Sequence, residues 1–136
     1  MGVKPRIYLD SCVAIYAVES ASHQGPAVTK LISQHQTTHE FCASDLVRME
    51  CRVVPLRTGN NALLGEYERF LASTTRLDIT PQVFELATEL RARHALKTPD
   101  AIHLAVALAA GCAEVWTNDG RWSVASSQRV TIRKVP

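Results

Sequence analysis

Apolar positions in this chain switch repeatedly between a strand-like and a helix-like spacing. Residues 6–10, RIYLD, form a β-branched and aromatic run that closes on an acid, and they predict a first strand. Residues 12–19 continue as an apolar helical segment, and SHQGP at 22–26 reads as a break. Residues 27–35 then place Val28, Leu31, Ile32 and His35 at helical spacing. EFCAS at 40–44 predicts a second strand. Ser44 or Asp45 is placed to cap a helix through LVRMECRVV, which Pro55 should kink or end. TGNN at 58–61 is a turn by composition, and Asn60 or Asn61 can cap the next helix, with Leu63, Leu64, Tyr67 and Leu71 on one face. RLDIT at 76–80 predicts a third strand. Pro81 opens a long helix with Val83, Leu86, Ala87, Leu90 and His94 along one side. Thr98 and Pro99 read as the N-cap and first position of a further helix that ends at Gly111. Residues 113–119 and 129–135 complete the set as fourth and fifth strands.

Strands that alternate with helices throughout predict an α/β domain over residues 1–136. Its sheet should be mostly parallel and four- to five-stranded, with helices on both faces. In such sheets ligands bind beyond the carboxyl ends of the strands. Asp10 ends the first strand and Ser44 the second, and Glu50 lies ~1.5 turns into the following helix. Asp100 opens the helix before the fourth strand, and Asp119 closes that strand. The pattern therefore directs four acids toward one rim.

Composition changes this picture little. An apolar fraction of 46% and a charged fraction of 21% exclude a disordered chain and suit one domain with a sizeable core. The net charge of +2 permits a nucleic-acid partner without arguing for one. Arg121, Arg129, Arg133 and Lys134 gather positive charge at the C-terminus, where an edge strand or a phosphate contact would each use it. No run reaches the ~18 apolar residues of a membrane span, and MGVKPRIYLD lacks a signal-peptide core, so a cytoplasmic protein is expected. Cys12, Cys42, Cys51 and Cys112 are scattered through apolar stretches, which predicts buried free thiols rather than disulfides or a zinc site.

Crowded carboxylates repel one another and lose solvation, so fold stability alone disfavours the arrangement. A divalent cation removes the objection. Mg2+ and Mn2+ take hard oxygen ligands, polarise a phosphoryl oxygen and stabilise a leaving oxygen. The chain contains no P-loop, GxGxxG or GxSxG motif, so an acidic cluster without a phosphate cradle points to metal-dependent phosphodiester cleavage. Each acid also has a plain structural reading: Asp10 a strand-end turn, Glu50 a solvated helix position, Asp100 a favourable charge in a helix's first turn, Asp119 an Asp-Gly turn.

Four segments, YLDSCV, SDLVRMEC, LKTPDAIHLAVA and VWTNDGRW, resemble the acidic motifs of PIN-domain ribonucleases, and most of all VapC-type toxins of bacterial toxin–antitoxin systems. They occur in the family's order and span residues 8–122. The resemblance implies a PIN-like fold and a Mg2+- or Mn2+-dependent endoribonuclease acting on single-stranded RNA. It implies that Asp10, Glu50, Asp100 and Asp119 are the catalytic and metal-binding acids, with Asp10 and Asp100 as the firmest ligands. Ser11, Ser44 and Asn118 match supporting polar positions. A water deprotonated by the cluster would attack the scissile phosphate. The resemblance also implies a homodimer and a cognate antitoxin that blocks the acidic groove. Cys12 is a departure, because many relatives carry a small polar residue there.

Other residues divide between site and scaffold. His103, three positions after Asp100, reads as a histidine that orients a carboxylate from the core or groove. Trp116 reads as core, and Trp122 is the better surface candidate for stacking on a base. Arg48 and Arg52 should face away from Glu50, toward solvent or a partner. Lys97 and Arg121 adjoin the acids and could meet a phosphate, while His23, His35 and His39 lack metal-ligand spacing. Two other readings remain at this stage. One is a catalytically silent PIN-like module that binds RNA or protein. The other is a phosphatase of the haloacid-dehalogenase kind, which wants a second Asp where Cys12 stands.

Overall fold

A computed structural model describes residues 2–19, 24–126 and 129–136. Ser22 and His23 of the break read at 22–26 lie outside the described residues, and residues 24–26 form the first turn of a helix instead of a break. The elements alternate as the apolar pattern requires: β1 (Arg6–Leu9), α1 (Ser11–Val18), α2 (Gln24–His35), β2 (Glu40–Ser44), α3 (Asp45–Thr58) and α4 (Asn61–Ala72). There follow β3 (Thr75–Leu77), α5 (Pro81–His94), α6 (Thr98–Ala109), β4 (Glu114–Thr117), α7 (Trp122–Ala125) and β5 (Thr131–Lys134). The five strands form one sheet in the order β3-β2-β1-β4-β5, and every pairing is parallel.

β1 lies at the centre and is buried on both faces. Tyr8 enters one core with Val47, Leu90, Leu104 and Trp122, whereas Ile7 and Leu9 enter a second core with Val13, Val28, Trp116 and Val135. The strand period of two assigns these residues to opposite faces. Each large apolar side chain fully removed from water contributes roughly 1.5–3 kcal/mol, so the helices of both faces are held to the sheet by burial.

Several local expectations are corrected. Pro55 does not end α3, which continues to Thr58 and stops at Gly59 in the left-handed conformation, φ +67°. The proline falls near the helix end and shares the buried face of Val47 and Cys51, where its packing offsets the missing N–H donor. Neither Ser44 nor Asp45 caps that helix by its side chain: the N-cap is Ser44 with no side-chain bond. Asn60, of the two candidates, does cap α4, accepting from the Leu63 N–H at 3.0 Å. Lys97 rather than Thr98 is the N-cap of α6, with Asp100 still in its first turn. The third strand is shorter and earlier than residues 76–80, and α7 was not anticipated. All four cysteines are free, three buried and Cys12 half-buried. Among the described residues no helix is long and apolar enough to cross a membrane.

Candidate active site

The strand order reverses direction between β1 and β4: the chain moves outward from β1 through β2 to β3, then returns to the other side for β4 and β5. Parallel sheets open a crevice at such a switch point, beyond the strand ends. Asp10 occupies it. Its backbone N–H continues the ladder to the Trp116 carbonyl at 3.0 Å, and the residue is buried, 8% exposed. Four donors hold the carboxylate, among them the Ser11 hydroxyl, 3.4 Å from Oδ1. The Ser11 N–H reaches Oδ1 at 2.7 Å, the Thr117 hydroxyl reaches Oδ2 at 2.8 Å, and the Cys12 thiol lies 3.4 Å from Oδ2. Burial pushes the Cys12 thiol up to about 12, and the neighbouring Asp10 charge adds to the rise.

Glu50 approaches from α3. Its Oε1 accepts from the Ser11 hydroxyl at 3.1 Å and from His103 Nε2 at 2.6 Å. Burial alone would raise the Glu50 carboxyl. The hydrogen bonds and attraction supplied by His103, with Ser11, outweigh it and hold the group below its ordinary value. His103 Nε2 also lies 3.7 Å from Asp10 Oδ1. One ligand atom each from Asp10, Glu50 and His103 fit within 4.8 Å of one another.

Asp100 faces the same crevice from the first turn of α6. Burial raises its carboxyl, and the charges of Asp10 and Asp119 raise it further. Among the described residues no side chain pairs with it. Asp119, just past β4, is instead clamped by Arg121, whose Nε and guanidinium NH2 lie 2.9 and 2.6 Å from its two oxygens. That clamp holds the Asp119 carboxyl below the usual range. Its backbone N–H donates to Thr117 Oγ1 at 3.2 Å, so one hydroxyl links Asp119 to Asp10.

Of the four sequence-predicted acids, Asp10 and Glu50 thus meet closely with His103, whereas Asp119 is joined to Asp10 only through Thr117 and Asp100 senses the charges of Asp10 and Asp119 from outside that close group. The supporting residues divide. Ser11 touches both Asp10 and Glu50. Ser44 meets the Tyr8 hydroxyl at 2.8 Å, and Asn118 donates to the Tyr16 hydroxyl at 2.9 Å, tying β4 to α1 without contacting an acid. Two contributors were missed, Tyr8 and Thr117. Both are buried, Tyr8 within β1 and Thr117 at the end of β4, and a buried hydroxyl must find a partner. Trp122 is also corrected: it is buried and stacks on the His103 ring at 6.1 Å, so it offers no surface to a base. Arg48 and Arg52 turn away from Glu50 as expected, and pair with Glu68 of α4 at 2.9 and 3.1 Å.

Hard oxygen donors with an unrelieved like-charge burden fit Mg2+ or Mn2+, and Asp100 shows that burden most directly. This geometry sits within a fold shared with known proteins. The chain matches the PIN domain family over residues 7–127. It belongs to that family. The phosphatase alternative falls with this match. No curated protein matches the chain at the level of sequence. Among solved structures, VapBC2 from Rickettsia felis bound to a promoter DNA fragment superposes with a TM-score of 0.81 at 12% identity, covering 96% of this chain and 99% of that one. DNA-bound VapBC from Salmonella typhimurium gives a TM-score of 0.71 at 18% identity, with 95% and 97% coverage. VapC20 of Mycobacterium tuberculosis, a toxin that cleaves the sarcin-ricin loop, gives 0.68 at 19% identity, with 88% and 94% coverage.

Proposed function

We propose that this PIN domain is a metal-dependent endoribonuclease that cuts single-stranded RNA and serves as the toxin of a toxin–antitoxin pair in the cytoplasm. The observation that carries the proposal is the close meeting of Asp10, Glu50 and His103 at the switch point, with Asp119 tied to Asp10 through Thr117 and Asp100 near enough to feel the charges of Asp10 and Asp119. The VapBC and VapC structures of the same fold support the toxin role.

Asp10 and Asp100 would hold Mg2+ or Mn2+, with Glu50 and Asp119 contributing through water or toward a second ion. A bound ion supplies positive charge that polarises the scissile phosphate and favours ionisation of the attacking water. Glu50, fixed by Ser11 and His103, is placed to accept that proton. Thr117 and Ser11 keep the Asp10 oxygens in register, and Arg121 can exchange its contact with Asp119 for a substrate phosphate. A cognate antitoxin would cover the acidic crevice. A second copy of the chain would pack on the exposed apolar stripe of α3 formed by Met49, Val53 and Leu56.

The test is cleavage of a single-stranded RNA by purified protein with Mn2+, with and without EDTA. Chelation should abolish cutting. Asp10→Ala or Asp100→Ala should lower kcat by at least ~100-fold while the circular dichroism spectrum stays native. Near-normal turnover in either variant would overturn the assignment.

A further inference from the structure

Behind the acids runs a buried file of polar groups that the proposed chemistry does not require by itself. Ser44 at the end of β2, Tyr8 on β1 and His103 on α6 are 3%, 0% and 1% exposed, so each must satisfy its polar atoms inside the protein. They satisfy one another. The Ser44 and Tyr8 hydroxyls are 2.8 Å apart, the Tyr8 hydroxyl lies 2.6 Å from His103 Nδ1, and His103 Nε2 lies 2.6 Å from Glu50 Oε1.

The direction of the file follows from its end. A carboxylate can only accept, so Nε2 carries the hydrogen in that bond. In the neutral ring Nδ1 then accepts from the Tyr8 hydroxyl, whose oxygen accepts from Ser44. Packing fixes the ring as well: Trp122 stacks on it with planes 21° apart, and the Tyr8 ring lies 5.7 Å away. Among the described residues every hydrogen bond to Glu50 falls on Oε1, which leaves Oε2 to take a proton or face a cation. Buried polar groups cost desolvation, and an apolar trio of similar volume would fill the same core without that cost.

We propose that Ser44, Tyr8 and His103 form a positioning relay that locks Glu50 beside Asp10. Both ring nitrogens of His103 already have partners, which makes it a positioning residue rather than a metal ligand. The effect on turnover rests on the nuclease reading above, whereas the effect on ion binding does not.

The experiment compares wild-type protein with three variants. His103→Leu removes the donor and keeps bulk, His103→Gln returns a donor near Nε2, and Tyr8→Phe deletes one hydroxyl. Groups behind a metal ligand typically account for about 10–100-fold in activity or affinity. On that scale His103→Leu should lower kcat about 100-fold and Tyr8→Phe about 10-fold, each with KM for RNA changed less than about 2-fold. His103→Gln should recover about 10-fold of the loss. Mn2+ affinity, read by electron paramagnetic resonance, should fall in the same order, and pulsed spectra should show no nitrogen bound to the ion. Folded His103→Leu and Tyr8→Phe proteins with wild-type kcat and Mn2+ affinity would overturn the relay. So would a His103→Gln variant no better than His103→Leu, or a bound-nitrogen signal that vanishes in His103→Leu. If wild-type protein binds Mn2+ but cuts no RNA, the nuclease reading fails alone, and the affinity series still decides the relay.

Discussion

Asp100 shows how a single side chain can oppose the fold that carries it. Its place in the first turn of α6 gives it the favourable field of the helix N-terminus, yet burial and the charges of Asp10 and Asp119 prevail and raise its carboxyl. A carboxyl whose folded value lies above its unfolded one costs nothing below the unfolded value. The cost grows as the pH climbs through both, and it is complete near neutrality. In EDTA, Asp100→Asn should therefore melt a few degrees above wild type near neutral pH, with the difference vanishing below about pH 3. Calorimetry at the two pH values checks this, and a lower neutral-pH Tm in the variant would refute it. The placement of Asp100 in the first turn of a helix was legible in TPDAIHLAVA, although the helix field alone already accounts for a charge there. Thr117 and Tyr8 were not. Alternation along a strand reveals which face a residue takes, but not which distant carboxylate or imidazole its hydroxyl will meet.

Elements were read most surely where chemistry and periodicity agree. Pro81 starts α5 as expected, while Thr80, assigned by its sequence to the preceding strand, instead caps the helix by accepting from the Val83 N–H at 3.3 Å. Where two rules compete, the tertiary context decides. Pro55 is a helix breaker by local rule, but its ring belongs to the buried face of α3, and the break is deferred to Gly59. The four-residue α7 is too short for any periodicity to announce it. Gly59 makes a clean test of the helix ending. A Cβ there would meet nothing within 4 Å, so substitution strains only the backbone at φ +67°. Gly59→Ala should cost about 1 kcal/mol, measured by urea unfolding with an unchanged m-value. RNA cleavage should be unaffected, because the α3–α4 turn touches none of the four acids.

At the scale of the molecule, alternation of strands and helices made the α/β class and the parallel sheet legible, together with the strand-end edge that carries Asp10 and Asp119. The strand order was not, since connections of similar length permit several orders, and the packing of Tyr8 against one core and Ile7 and Leu9 against the other selects between them. That order matters because it puts the switch point between β1 and β4, bringing Asp10 and Asp119 together from opposite ends of the chain. An ion held by Asp10 and Asp100 would depend on both β1 and α6, so local unfolding of either element would release it. Binding to the folded state alone stabilises by RT ln(1 + [L]/Kd), about 2.7 kcal/mol at a hundredfold excess over Kd. Mn2+ should therefore raise the Tm of wild-type protein in a concentration-dependent way and do nothing for Asp10→Asn. Asp100→Asn should show both opposing effects in one molecule, melting above wild type in EDTA and below it in saturating Mn2+. A parallel rise with Mn2+ in all three proteins, followed by scanning fluorimetry, would place the ion elsewhere and separate the acidic crevice from metal binding.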